Sequence, residues 1–224
     1  MGWLKAEYEF GSLFSYRLPD FSSQYAISSP LPGPSTIKLA IVAAAIEHKG
    51  NVSYGEEIFN IIKNAEIKIS KPKRVALFNV LIKRLKKKKN ERGFEQTFGI
   101  RGYVHFPDSI KIYLKVRDDK REEIKHLMKR IRRFGTSDSL VYCKNVEDED
   151  PPMDAIAPVE TLENVSGKNV LIVPVKDLNP DPKIKFENVD IYNKTSKKDV
   201  FINKIYPIPI SMQKQGKNWI IYEI

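Results

Sequence analysis

Cysteine and histidine are the scarcest chemistry in these 224 residues: one cysteine, Cys143, and three histidines, His48, His105 and His126. A lone cysteine excludes an internal disulfide, and without a Cys/His cluster no zinc site can be assembled. A Walker-type glycine loop is also missing, so no nucleotide cofactor is expected. The longest nearly apolar stretch, Ile37 to Ile46, is interrupted by Lys38 and reaches only about half of the ~20 residues a membrane span needs. The start, Met1-Gly2-Trp3-Leu4-Lys5-Ala6-Glu7, lacks a basic segment followed by an apolar run. A soluble chain in a reducing interior, the cytoplasm, with no membrane partner, is the expectation.

Positive charge is what the sequence has in excess. Lys and Arg number 38 against 28 Asp and Glu, a net +10 with a pI near 9.4, which points to a polyanionic partner. From Ile61 to Lys144 there are 24 basic and 9 acidic residues, so this segment alone carries +15 and the rest of the chain −5. A heat-adapted surface would intersperse the signs; here the middle is one-sided.

Leu4, Ala6, Tyr8 and Phe10 alternate with Trp3, Lys5, Glu7 and Glu9, the period of a strand with one buried face. A Ser/Pro/Gly-rich loop, Ser22 to Pro34, leads to a buried helix over Ile37 to Ile46, with Ser35 or Thr36 as its cap. Ser53 followed by Glu56 predicts a second capped helix with Ile58, Ile61 and Ile62 on one face. Strands are predicted at Glu66 to Ser70 and at Ile110 to Val116. Asp118 and Asp119 open a helix in which Ile124, Leu127, Met128, Ile131 and Phe134 share a face and Lys129, Arg130, Arg132 and Arg133 crowd the last turns, up to Gly135. Ser139 to Val146 is a further strand. The order β, α, (α), β, β, α, β is ferredoxin-like, an α+β class.

Four acidic residues and two prolines over Glu147 to Pro152 reverse the charge and mark a boundary between residues 1–146 and 147–224. These acids with Asp154 could hold a divalent cation, but the prolines favour a hinge or protein contact. Beyond them, Val170 to Val175, Ile184 to Tyr192, Val200 to Ile210 and Trp219 to Ile224 predict short strands, a small β-rich extension.

The segment 71–101 carries Lys73, Arg74, Lys83, Arg84, Lys86, Lys87, Lys88, Lys89, Arg92 and Arg101, with Phe78, Phe94, Phe98 and Tyr103 among or beside them. Cations release counterions from phosphates while rings stack on bases, the needs of a single-stranded nucleic-acid groove; the plain alternative for Lys86 to Lys89 is a solvated loop tip. Tyr113, between Lys111 and Lys115, is placed on the open face of its strand, where it would stack a base or pack under the C-terminal extension. Arg130 to Ser139 joins cations to Gly135, Thr136 and Ser137, groups able to hold a backbone phosphate, or simply to cap a helix. His105, near Tyr103 and Lys111, leaves open a metal-independent ribonuclease with a general base acting on a 2′-hydroxyl.

Tyr8-Glu9-Phe10-Gly11-Ser12-Leu13-Phe14-Ser15-Tyr16-Arg17, then Ser29-Pro30-Leu31-Pro32-Gly33-Pro34-Ser35-Thr36 before an apolar helix, and Phe98-Gly99-Ile100-Arg101-Gly102-Tyr103-Val104 before the strand at 110–116, resemble the fifth Cas subunit of type I CRISPR effector complexes, archaeal subtype I-A in particular. The resemblance covers most of residues 1–145. It implies a RAMP protein with a ferredoxin-like (RRM-like) domain and a thumb inserted between its second and third strands, here residues 71–101. It also implies a non-catalytic subunit capping the 5′ repeat-derived tag of the guide crRNA, in contact with the repeated backbone RAMP subunit and the large subunit of this antiviral Cascade complex. Arg17 and the Gly135 loop join the RNA-binding set on that basis, although the loop has one glycine followed by Thr-Ser-Asp-Ser. In the I-C branch the fifth subunit cuts precursor RNA with a Tyr/Lys/His set, which is the alternative role the resemblance implies for this chain.

Overall fold

Strand β1 (Gly2–Phe10) buries Leu4, Ala6 and Tyr8, as the alternation requires, and lies at the centre of an antiparallel four-stranded sheet. The computed structural model describes residues 1–19, 21–22, 25–89, 91–161, 169–190 and 199–224. After the short β2 (Tyr25–Ala26), α1 (Pro34–Lys49) and α2 (Val52–Ile62) precede β3 (Ile67–Ile69). Strands β4 (Arg74–Lys87) and β5 (Phe94–His105) form a long hairpin, followed by β6 (Ile110–Val116), α3 (Arg121–Met128) and β7 (Val141–Asp148). The C-terminal part contributes β8 (Val170–Leu178), β9 (Phe201–Pro209), β10 (Met212–Gln215) and β11 (Trp219–Glu223).

The first sheet runs β3-β6-β1-β7, all antiparallel, with Leu4 opposite Leu114 and Ala6 opposite Ile112. Its apolar face meets α1, α2 and α3, where Ile41, Ile58, Phe59, Ile124 and Leu127 are fully buried. Each such side chain contributes about 1.5–3 kcal/mol by leaving water. A ring cluster of Phe10, Phe14, Phe106 and Phe134 closes the core at the end where the hairpin begins. The second sheet, β10-β11-β4-β5-β2, is built on that hairpin, and β8 pairs with β9 in a ribbon against α1.

Several expectations are corrected. Helix α1 starts at Pro34 behind Gly33 with no side-chain cap, and Ser35 and Thr36 are buried inside its first turn. Asn51, not Ser53, caps α2: its Oδ1 accepts the Ser53 amide at 2.8 Å. The helix expected to reach Phe134 stops at Met128, because the Tyr8 hydroxyl donates to the Met128 carbonyl at 2.8 Å and residues 132–134 turn back as an extended segment beside 139–141. Between 184 and 190 there is one 3₁₀ turn, Phe186–Asn188, and no strand; residues 191 and 192 of that expected run lie outside the described residues. Apart from these corrections, β7 runs through residues 146 and 147, on either side of the anticipated boundary.

Candidate nucleic-acid interface

The basic segment 71–101 is not a loop. β4 and β5 pair from Ala76 opposite His105 out to Lys87 opposite Phe94, and the tip closes through the Lys88 amide on the Gly93 carbonyl at 3.1 Å, with Gly93 at φ +111°. Lys86 and Lys87 therefore belong to the strand, and Lys88 to the turn, with Lys88 paired to Glu91 at 2.8 Å.

Alternation divides the interleaved rings and cations between two faces. One face carries Leu81, Lys83, Leu85 and Lys87 with Phe94, Phe98 and Ile100 opposite them. It continues the buried face at the hairpin base, where Val75 and Val104 are in the core, yet Leu81, Leu85, Phe94 and Phe98 are 61–68% exposed. Lys83 Nζ stands 5.9 Å from the centre of the Phe98 ring. The other face carries Phe78, Val80, Arg84 and Lys86 with Tyr103, Arg101, Thr97 and Glu95. Arg84 lies 3.9 Å from Asp138, and Arg74, at the base, 3.2 Å from Glu223. Among the described residues Lys83, Lys86, Lys87, Arg92, Arg101 and Arg132 have no carboxylate within ion-pair distance. Lys73 and Lys89 are exposed at the two ends of β4.

The loop after α3 is held against the N-terminal segment. Gly135 adopts φ +78°, and a Cβ there would come 3.0 Å from the Ser15 carbonyl, so both conformation and approach demand glycine. Ser139 Oγ accepts the Ser15 amide at 2.9 Å, and the Thr136 amide donates to the Ser15 carbonyl at 3.3 Å. These groups face inward; the polar side chain at Ser137 remains exposed beside Asp138. A cleft of about 200 Å³ opens between this loop and α1, lined by Tyr16, Ala40, Ala43, Arg130, Arg132 and Gly135. Arg133 also lines it, 3.5 Å from Glu47, and Arg130 Nε donates to His126 Nε2 at 2.8 Å. Arg17, exposed, follows Tyr16 on the same segment. The small residues of α1 and Tyr16 were not singled out in the sequence; a row of alanines at Ala40, Ala43 and Ala44 on a helix otherwise rich in isoleucine was the available signal.

Tyr113 does not lie open. Its ring is 2% exposed, and its hydroxyl accepts from Ser70 Oγ at 3.3 Å and donates to Glu149 at 3.4 Å. Beside it, Lys5 is buried between Glu147 and Glu149, whose carboxylates raise its pKa well above the ordinary lysine value, hydrogen bonding to Glu147 foremost. Asp148 pairs with Arg121 at 2.7 Å and Lys125 at 3.2 Å. The acidic run thus supplies counter-ions within the chain and covers Tyr113, so of the two roles open to that ring it is packing under the C-terminal part, not stacking, that the structure shows.

Of the alternative catalytic set, Tyr103 and His105 lie in the hairpin sheet, with the Tyr103 ring stacked on Phe78 at 6.0 Å, while Lys111 lies in the other sheet opposite Glu7. Ser109 donates to that Glu7 carboxylate and, ahead of the Lys144 and Lys111 charges, lowers its pKa. No hydrogen bond joins Tyr103, His105 and Lys111 among the described residues. Nor is there a group of three or more His, Cys, Asp or Glu able to hold a metal, or a helix long and apolar enough to cross a membrane, among those residues.

No family model matches the chain. Over its full length it is 45% identical to a CRISPR-associated protein Cas5 from Archaeoglobus fulgidus, covering 99% of that protein. Among solved structures, a crystal structure of a CRISPR protein from Archaeoglobus fulgidus superposes with a TM-score of 0.51 at 16% identity, over all of this chain and 92% of that one, a likeness of fold. A chain of a type III-B Cmr-beta complex, determined by cryo-electron microscopy with cognate target RNA and AMPPnP bound, gives a TM-score of 0.45 at 10% identity over 98% and 86% of the two chains.

Proposed function

The chain belongs to the Cas5 family of CRISPR-associated proteins, and from that membership we propose that it is a non-catalytic, RNA-binding subunit of a type I CRISPR effector complex. In this reading it acts in antiviral defence in the cytoplasm of an archaeal cell, subtype I-A, and caps the 5′ repeat-derived tag of the guide crRNA. Residues 1–146 serve as a ferredoxin-like RAMP domain, 71–101 as its thumb, and 147–224 as an extension that braces both. The sheet order β7-β1-β6-β3 with its helix crossovers supports the first assignment, and the projecting β4–β5 hairpin supports the second.

The observation that carries the proposal is the set of hairpin cations without carboxylate partners among the described residues, exposed at Lys83, Lys86, Lys87 and Arg92 and half-buried at Arg101, continued by Arg132 on the loop beside Gly135. An unpaired surface cation gains most from a phosphate, because it has no competing ion pair to break and releases the phosphate's counterion. The apolar face of the hairpin, Leu81, Leu85, Phe94 and Phe98, supports contact with neighbouring backbone and large subunits, since an exposed apolar stripe of this kind marks an interaction surface. The test is incubation of the purified chain with end-labelled CRISPR repeat RNA in EDTA, resolved on native and denaturing gels. Retarded, intact RNA is expected. RNA that is not retarded refutes RNA binding by the isolated chain, and a discrete cut moves Tyr103, His105 and Lys111 to the centre.

A further inference from the structure

Trp219 on β11, Phe78 on β4 and Tyr103 on β5 are direct register partners, Trp219 opposite Phe78 and Phe78 opposite Tyr103. Directly opposed residues of antiparallel strands share a face, with Cβ atoms about 4.5–5.5 Å apart, so three aromatic side chains stand in one row across three strands. Phe78 and Tyr103 are stacked, their planes 28° apart. Trp219 is 46% exposed. Its indole lies against the turn that joins β10 to β11: a Cβ at Gly216 would fall 2.4 Å from Trp219 Nε1. The missing side chain at Gly216 is what lets the ring take this place. All four residues of β10 are exposed, so the β10–β11 hairpin brings little burial from β10; what it adds to the sheet is a third aromatic residue on the face of Phe78 and Tyr103.

From this arrangement we infer that the Trp219, Phe78 and Tyr103 row is a stacking site for a base of single-stranded RNA, completed by the C-terminal hairpin. Any base has a π-face, so such a row holds nucleotides with little sequence preference. Charge selects the occupant: Arg101 is two residues from Tyr103 on the same face and has no carboxylate partner among the described residues, and Lys86 lies further out along it. Rings bordered by free cations match a base attached to a phosphate better than an apolar protein segment. The inference rests on the RNA-binding reading above and names the part of the surface that takes bases rather than phosphates.

The chain holds two tryptophans, Trp3 and Trp219, so Trp3→Phe leaves Trp219 as the sole indole reporter. Titration of that protein with a short single-stranded oligoribonucleotide at low salt is expected to quench its emission in step with retardation on a native gel. Trp219→Ala is expected to weaken binding about five- to a hundredfold with the salt slope unchanged, because no phosphate contact is lost, and Trp219→Phe to recover part of the affinity. Gel retardation with Trp219 emission unchanged, and with Trp219→Ala binding as tightly as the parent, overturns the stacking site while leaving RNA binding in place. Absence of any retardation overturns the RNA-binding reading itself. The emission measurement keeps Trp219 intact, so it does not depend on how the Trp219 variants fold.

Discussion

Replacing Lys83, Lys86 and Lys87 together with alanine should change the salt dependence of RNA binding, not only its strength. All three are exposed on β4, and among the described residues none has a carboxylate partner. Arg84 is left out of the set because Asp138 already lies 3.9 Å from it. If each of the three neutralises one phosphate of a single strand, the slope of log K against log salt becomes shallower by about 2, given ~0.7 per contact. The same relation makes affinity at about 0.1 M salt roughly a hundredfold weaker. The control is Lys115→Ala. Lys115 is paired with Glu66 at 2.7 Å and stands 5.7 Å from the Trp3 ring centre, away from the hairpin, so its removal should leave the slope as it was. Fluorescence anisotropy with a labelled repeat RNA over a series of salt concentrations measures both. A triple variant with the parental slope, or a Lys115 variant with an equal loss, refutes the placement of phosphates on the hairpin.

Lys38→Ala should destabilise the fold by about 3–5 kcal/mol in a denaturant titration. Lys38 Nζ is buried, donates to Asp177 Oδ1 at 2.7 Å and to the Lys63 carbonyl at 2.9 Å, and its removal leaves the buried Asp177 carboxylate with the Leu178 amide and Lys204 as its one ion-pair partner; a cost below about 1 kcal/mol would contradict this. Gly135→Ala should cost about 1–3 kcal/mol, since the alanine would hold φ +78° with its Cβ 3.0 Å from the Ser15 carbonyl, and the melting temperature reads it. The His48 pKa is lowered below 6.5 by desolvation and then by the charges of Arg130, His126 and Lys49. The unfolded chain therefore takes up this proton first, and stability falls as pH drops through 6.5; His48→Asn should flatten the melting-temperature profile between pH 6.5 and the lowered value. An unchanged profile would refute that attribution.

The four-stranded sheet was largely legible because period two survives wherever one face is dry: Ile110, Ile112, Leu114 and Val116 are all buried, and Leu4, Ala6 and Tyr8 match them from β1. The hairpin was not, for the same reason inverted. Beyond Leu77 and its partner Val104 both of its faces meet solvent, so cations and rings occupy both and no alternation of apolar with polar residues appears. The shortened α3 follows from contacts between distant residues: Ile131 and Phe134 keep helical spacing, but Tyr8 takes the Met128 carbonyl and Leu140 bridges Arg133. Tyr113 alternates as an open-face residue would, and its cover comes from distant positions, among them Glu149, 36 positions later, and Ser70. β10, with Gln213, Lys214 and Gln215 all exposed, has no apolar face to signal a strand.

The location of the sheet's free edges bears on how the hairpin works. Among the described residues β11 covers the edge of β4 only from Arg74 to Phe78, and β2 meets β5 only at Ile100 and Arg101. Outward from there β4 and β5 continue as a two-stranded ribbon, a form marginally stable by itself in water. Its base is fixed: Asn79 donates to the Asn218 carbonyl at 2.8 Å, and Phe14 exchanges two hydrogen bonds with Val104 at 2.9 and 2.7 Å. The C-terminal strands therefore stiffen the segment carrying the unpaired cations, so deleting β10 and β11 should weaken RNA binding even though every cation of the β4–β5 hairpin is retained and only Lys214 and Lys217 are lost. Full retention of affinity in a chain ending at Ser211 would show that the ribbon holds its shape without them, and would remove the C-terminal hairpin from the binding surface altogether.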